Sequence, residues 1–322
     1  MRFYRNYLLS LLGSLILLLA GAVGQQPPTR PPARPAPLSP PPAKPAPPAK
    51  TDPAATRVLD EAIQGLEPKI VSTVETEIWQ QEDIQGVAFQ ADGSYLLAPD
   101  NRLHLKLNVL FGGTRGSMEM VCDGKTLWEA IQIGASPRIV SRKVDVSQVQ
   151  EALKGKKEGE QVRQEWFQEQ CIAGLLPLLK SIRERMVVTG QQKVRRGSRE
   201  MIKLTAVWSP DVTRALLGPN AQWPAYLPRQ CYLYLGQTGA KKTLWPFRIE
   251  WWGPTTGSRP EDILIWQLEF RKPKLNQPLP ADRLAKEFKF DPGSVEVPDV
   301  TQKAVESVKL QAEQLAAQKK GK

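Results

Sequence analysis

His104 is the only histidine among 322 residues, so a catalytic triad, a histidine-ligated metal or a histidine base would have to be built on it. In Arg102–Leu110, Leu103, Leu105, Leu107 and Val109 alternate with His104, Lys106 and Asn108. That period of two places His104 on the polar face of a half-buried strand. No spacing around it matches a metal or triad pattern, and it reads as a surface histidine. The chain has no phosphate-binding glycine loop, dinucleotide fingerprint, Gly-x-Ser-x-Gly elbow or Cys-x-x-Cys pair. Carboxylates are plentiful, but sequence spacing alone does not pair two of them across a sheet. The expectation is therefore a protein without catalytic residues, metal or cofactor. An enzyme would need a cleft grouping His104 with a carboxylate and a Ser or Cys. Cys122, Cys171 and Cys231 leave two readings open, one disulfide with a spare thiol or three buried free thiols.

The net charge of +11 comes from basic residues spread along the chain rather than gathered in one run. Anionic membrane lipid is the expected partner of such a charge in an exported protein, and nucleic acid is not. Export is expected from residues 1–24, where Arg2 and Arg5 precede the apolar Leu8–Ala20 and the small residues of Ala22-Val23-Gly24. Cleavage would leave Gln25 as the new terminus in the periplasm or cell envelope, with an uncleaved anchor as the alternative. The apolar run is short for a spanning helix, which needs about 20 residues. With no cysteine near the cleavage site, an acyl anchor there is excluded. Residues 25–53 are dominated by Pro and Ala and cannot bury a core. They read as an extended spacer or tether at about 3.1 Å per residue.

The folded part is expected over 54–300. Val58, Leu59, Ala62, Ile63 and Leu66 recur at helical spacing behind Asp52-Pro53, an N-cap and first-turn signal. Short strands follow, with Asp92-Gly93 and Asp123-Gly124 as hairpin turns. Residues 145–185 switch to helix. Strands return at Met186–Val194 and Met201–Trp208 around the basic Arg195–Arg199 turn, which reads as solvated. Pro210–Leu217 reads as a short helix. Cys231–Leu235, Leu244–Trp252 and Ile263–Phe270 are apolar on both faces, so both must be covered. Residues 301–322 form a basic Ala/Gln/Lys-rich tail, read as a frayed, solvated helix.

Two motifs carry a resemblance. Asp123-Gly124-Lys125-Thr126-Leu127-Trp128 resembles the Asp-Gly-x-x-Leu-Trp hairpin of the LolA/LolB-like outer-membrane lipoprotein-sorting carriers. Leu284–Val297, with Phe288 and Phe290, resembles their closing Phe-x-Phe strand, Pro-Gly turn and Val-x-Val run. The resemblance implies an α+β fold, a strongly curved antiparallel half-barrel with helices over its open side and an apolar cavity for acyl chains. Candidate cavity residues are Leu103, Leu105, Leu107, Trp128, Trp251 and Trp266. The motif residues are Asp123, Gly124, Leu127, Trp128, Phe288 and Phe290. The implied partners are acyl chains of lipoproteins or lipids, an inner-membrane donor and an outer-membrane acceptor, with the carrier a monomer. One departure is Ala98, which precedes Pro99 where these carriers have a basic latch residue. Ala98 predicts a lid held by apolar contact, which Ala98→Arg would close further. The rival reading is a structural or interaction module, or an envelope-stress sensor, with a solid sheet and a tethering arm.

Overall fold

The computed structural model describes residues 50–84, 87–134, 139–170, 174–218, 223–224, 227–254, 262–293 and 296–320. The expected export signal, nearly all of the Pro/Ala-rich segment and Cys171 lie outside them. The first half of the chain supplies a meander of six strands. These are β1 (Val74–Ile84), β2 (Val87–Ala98), β3 (Arg102–Phe111), β4 (Thr114–Asp123), β5 (Thr126–Ile133) and β6 (Ile139–Asp145). The second half supplies β7 (Met186–Arg196), β8 (Arg199–Trp208), β9 (Gln230–Thr238), β10 (Thr243–Pro254) and β11 (Asp262–Leu275). Because β11 pairs back onto β1, all eleven form one antiparallel sheet, ordered β6-β5-β4-β3-β2-β1-β11-β10-β9-β8-β7. The outer strands β6 and β7 do not pair with each other, so the sheet is a curved half-barrel and not a closed barrel.

The concave face is apolar by register. Leu103, Leu105 and Leu107 face Cys122, Met120 and Met118 on one side and Leu97, Tyr95 and Gly93 on the other. Helices cover this face: α1 (Pro53–Gly65), α2 (Val146–Leu153), α3 (Gly159–Glu169) and α4 (Leu175–Arg185). Helix α1 starts where Asp52 accepts hydrogen bonds from Ala54 N (2.9 Å) and Ala55 N (3.1 Å), with Pro53 at the first helical position. It buries Leu59 and Ala62 beside Leu179 and Ile182 of α4. Asp145 caps α2 through Gln148 N (3.0 Å), and Val146, Val149 and Leu153 turn into the core. Helix α5 (Pro210–Leu217) links β8 to β9, while α6 (Ala281–Glu287) and α7 (Thr301–Lys320) follow the last strand. Among the described residues no helix is long and apolar enough to cross a membrane.

The chain after β11 crosses the convex face, opposite α1–α4. Helix α6 settles there because Phe288 meets Leu96 and Ala98 in a small second core, with Leu279 and Leu284 alongside. Phe290 stacks on Trp128 at 6.2 Å. The chain then runs beside β6, where Lys143 N donates to Pro298 O (2.9 Å) and Val300 N to Lys143 O (3.0 Å). Rounding that edge, it returns as α7 against α2 and α3. His104 ties α6 to the sheet, with Nε2 3.0 Å from Glu119 and Nδ1 3.0 Å from Glu287. The hydrogen bond to Glu119 outweighs partial burial and, with Glu287, raises the His104 pKa. The bond to His104 correspondingly lowers that of Glu119.

Several sequence expectations are corrected. Asp92-Gly93 is no turn: it lies inside β2, paired with β1 and β3. A Cβ on Gly93 would sit 1.8 Å from Lys106 O, so this glycine serves close strand approach. The Asp123-Gly124 hairpin forms, but its central residues are Gly124 (φ 102) and Lys125, with only the glycine at positive φ. Asp123 instead braces the turn, accepting from Lys125 N and Thr126 N (2.8 Å each). The Phe-x-Phe segment is not a strand, since Phe288 ends α6 and Phe290 lies in irregular chain. The tail is not solvated, because Val305, Val308 and Ala312 of α7 are in the main core. His104 is half-buried between two carboxylates rather than loose on the surface.

Two outcomes follow from these placements. Val308 is fully buried, so Val308→Ala should cost about 2 kcal/mol in urea unfolding. A solvated tail would leave stability unchanged. The His104 contribution is full below the ordinary histidine pKa and fades as pH rises through the raised folded value. The Glu119 contribution fades as pH falls through its lowered one. Wild type should therefore lose up to about 1 kcal/mol more than His104→Gln between pH 6 and 9. Parallel unfolding profiles for the two proteins would contradict the clamp.

Candidate functional site

A cavity of about 690 Å³ lies between the helices and one end of the sheet. Several parts of the chain form its apolar lining. Leu66 and Val71 come from the α1–β1 connection, Val74 from the start of β1, Tyr95 and Leu97 from β2, and Trp245 from β10. Phe167 of α3 and Leu175 and Leu176 of α4 close the helical side. The exposed lining residues, among them Pro68, Ser72, Pro99, Asp100, Gln161, Gln164, Lys180 and Glu184, make the mouth polar.

Local sequence explains why the space exists. Gly174 precedes α4 at φ 72, and a Cβ there would come within 3.0 Å of Tyr95 Oη and 3.2 Å of Leu97 Cδ2. The glycine lets α4 start directly over β2, while α3 leaves toward α7. Between these helices the cavity reaches the sheet at Trp245, whose own side chain is buried. Two ion pairs hold α4 to the α1 side, Lys180–Glu67 at 3.0 Å and Arg183–Asp60 at 2.7 Å. All four side chains are substantially exposed, and such pairs contribute about 0–1 kcal/mol each. Apolar contact through Leu59, Ala62, Leu179 and Ile182 therefore holds this cover.

None of the six cavity candidates from the sequence lines this space. Leu103, Leu105 and Leu107 face the concave side but are buried to 0–2% exposure in the solid core. Trp128 pairs with Val121 and alternates with the inward Leu127, so it points to the convex face, where Phe290 meets it. Trp251 and Trp266 stack on each other at 6.0 Å, and Trp251 on Trp208 at 5.9 Å, at the opposite end of the concave face. The indole N–H groups of Trp251 and Trp266, with Gln80 Oε1 nearby, have no hydrogen-bond partner among the described residues, whereas that of Trp208 donates to Pro228 O at 2.7 Å. Glu82, beside Trp266 on β1, is pushed up to about 7 by burial. Periodicity marked neither Gln80 nor Glu82, because a polar residue on an inward position looks like an interruption of the pattern. Glu129 was missed for the same reason; 3% exposed, it pairs with Arg142 at 2.9 Å.

Ala98 departs from the latch position in another way. It lies at the rim of the cavity and packs with Phe288, so an arginine there would disrupt the small second core. His104 stands with two carboxylates and no hydroxyl or thiol partner among the described contacts. Among the described residues no group of three or more His, Cys, Asp or Glu could hold a metal ion. Cys122 and Cys231 are free, buried thiols, the first pushed up to about 11 by burial and the second well above its ordinary value. Five strands separate theirs in the sheet, so they cannot bridge each other.

No family model and no curated protein matches the chain. Solved structures show distant likenesses. LprF from Mycobacterium bovis has 11% identity and a TM-score of 0.35, over 71% of this chain and 96% of that one. MucB has 11% identity and a TM-score of 0.35 over 72% of this chain, which spans only 62% of the MucB chain. A DUF1329 family protein from Desulfovibrio piger has 11% identity and a TM-score of 0.26, over 73% and 98% of the two chains. Likenesses as distant as these decide nothing about this chain, whose half-barrel rests on its own strand register.

Proposed function

We propose that the protein is a non-enzymatic binder of acyl chains in the cell envelope and that the cavity between α1, α3, α4 and the sheet is its site. The observation that carries this reading is the combination of about 690 Å³, an apolar lining of Leu, Val, Phe and Trp, and a polar mouth. The volume lies within the range of about 300–1,000 Å³ common for small-molecule sites. An acyl chain needs no directional bond there, because each buried CH₂ contributes about 0.8 kcal/mol. Its polar head would stay at the mouth among Gln161, Gln164 and Lys180. The cover is held by apolar contact and two weak ion pairs, which suits uptake and release. The finer reading is transfer of lipoprotein or lipid from an inner-membrane donor to an outer-membrane acceptor, and the hairpin resemblance supports it.

The solid core under Leu103, Leu105 and Leu107 favours a second reading, an interaction module of the envelope whose sheet takes no ligand.

The two readings part on cavity-filling variants. Leu97→Trp from the sheet wall and Ser181→Phe from the α4 wall should each weaken uptake of a fluorescent fatty acid by about tenfold or more. Thermal stability should change little, because the new side chains enter existing space. Trp128→Ala, on the other face, should leave uptake intact while costing about 1 kcal/mol through the lost ring pair. Uptake unaffected by both cavity variants, or no uptake by the wild type, would favour the interaction module.

A further inference from the structure

Two neighbouring turns at one end of the sheet carry cations without acidic partners. Arg195 and Arg196 end β7, Arg199 opens β8, and Lys241 and Lys242 lie in the turn between β9 and β10. Ile202 pairs with Leu235, and continuing that register carries Arg199 alongside Thr238, so the turns are adjacent. All five cations are exposed. Among the described residues none of them is in an ion pair, although Arg248 on the same sheet is neutralised by Glu250 and by Glu269 at 3.0 Å. Glu200 is the single carboxylate in either turn. Aromatic rings on the convex face hold two of the guanidinium groups, Arg199 over Phe247 at 3.8 Å and Arg196 over Tyr234 at 5.2 Å. Gathering like charges in this way opposes folding, and an outside anion is what would relieve it.

Position gives the cluster its meaning. Leu275 approaches Gly239 of the second turn and pairs with Val74, which pairs with Leu97. Val74 and Leu97 line the cavity, as does Trp245 just beyond Lys242. The basic turns and the cavity therefore share one end of the half-barrel. Asp52 enters at the other end of β7, its N–H donating to Val188 O at 2.8 Å.

We propose that this basic end docks on an anionic bilayer surface and turns the cavity mouth toward it. What would pass through the mouth rests on the acyl-chain reading above, but the docking does not. The attraction is short-ranged, because the Debye length at physiological salt is about 8 Å. It therefore acts only once the turns are near the headgroups, and it leaves the bound protein free to exchange.

The test uses the whole chain and vesicles of phosphatidylcholine, with or without phosphatidylglycerol, in a co-sedimentation assay. Binding should require phosphatidylglycerol and weaken as salt rises. The triple variant Arg195→Gln/Arg196→Gln/Arg199→Gln should lower the partition coefficient by about thirtyfold or more, and Lys241→Gln/Lys242→Gln by about tenfold. The control Lys303→Gln/Lys309→Gln, exposed on α7, should bind as wild type does. Fatty-acid uptake in vesicle-free solution should be unchanged in all of these variants, which keeps docking separate from cavity binding. Three results would overturn the proposal: equal binding to neutral vesicles, an equal loss in the α7 control, or binding to a DNA duplex with anionic vesicles ignored.

Discussion

A curved sheet of eleven strands buries its concave face only if something else covers it. Closing β6 onto β7 would have removed both edges, as in a full barrel. Left open, the sheet needs helices from elsewhere in the chain. They come from three places: α1 before the first strand, α2–α4 between the two halves, and α7 after the last strand. Each is amphipathic and joins a single continuous core. The cavity lies where these separate covers meet imperfectly, between α3, α4 and the α1–β1 connection. A space made by helices can widen when a helix moves, whereas a space inside a closed barrel is fixed by its strands.

Much of this architecture was readable in the sequence because the governing interactions are local. Asp52-Pro53 starts a helix by satisfying free backbone N–H groups, and it does so here. Alternation in Arg102–Leu110 gave the inward row of leucines directly. Asp92-Gly93 misled because the same dipeptide serves a turn and a close strand crossing, and only the neighbouring Lys106 carbonyl distinguishes them. The tail misled because Val305, Val308 and Ala312 are few and widely spaced among Lys, Gln and Glu. Their burial depends on α2 and α3 being present to receive them.

The site was less readable than the fold. Trp128 belongs to the motif that raised the acyl-chain reading, yet its face was settled by pairing with Val121 and by a contact to Phe290 far along the chain. The cavity residues are scattered over the α1–β1 connection, β2, β10, α3 and α4, and no spacing links them. The convex face told the same story: His104 looked isolated until α6 brought Glu287 to it.

The central claim is that the cavity holds an acyl chain. Native mass spectrometry of the protein, purified gently from its own cells, tests this most directly. A bound species carrying acyl chains, released on denaturation and much reduced in Leu97→Trp, is the result the account requires. A protein that travels at its bare mass and takes up no lipid when offered it would contradict the account.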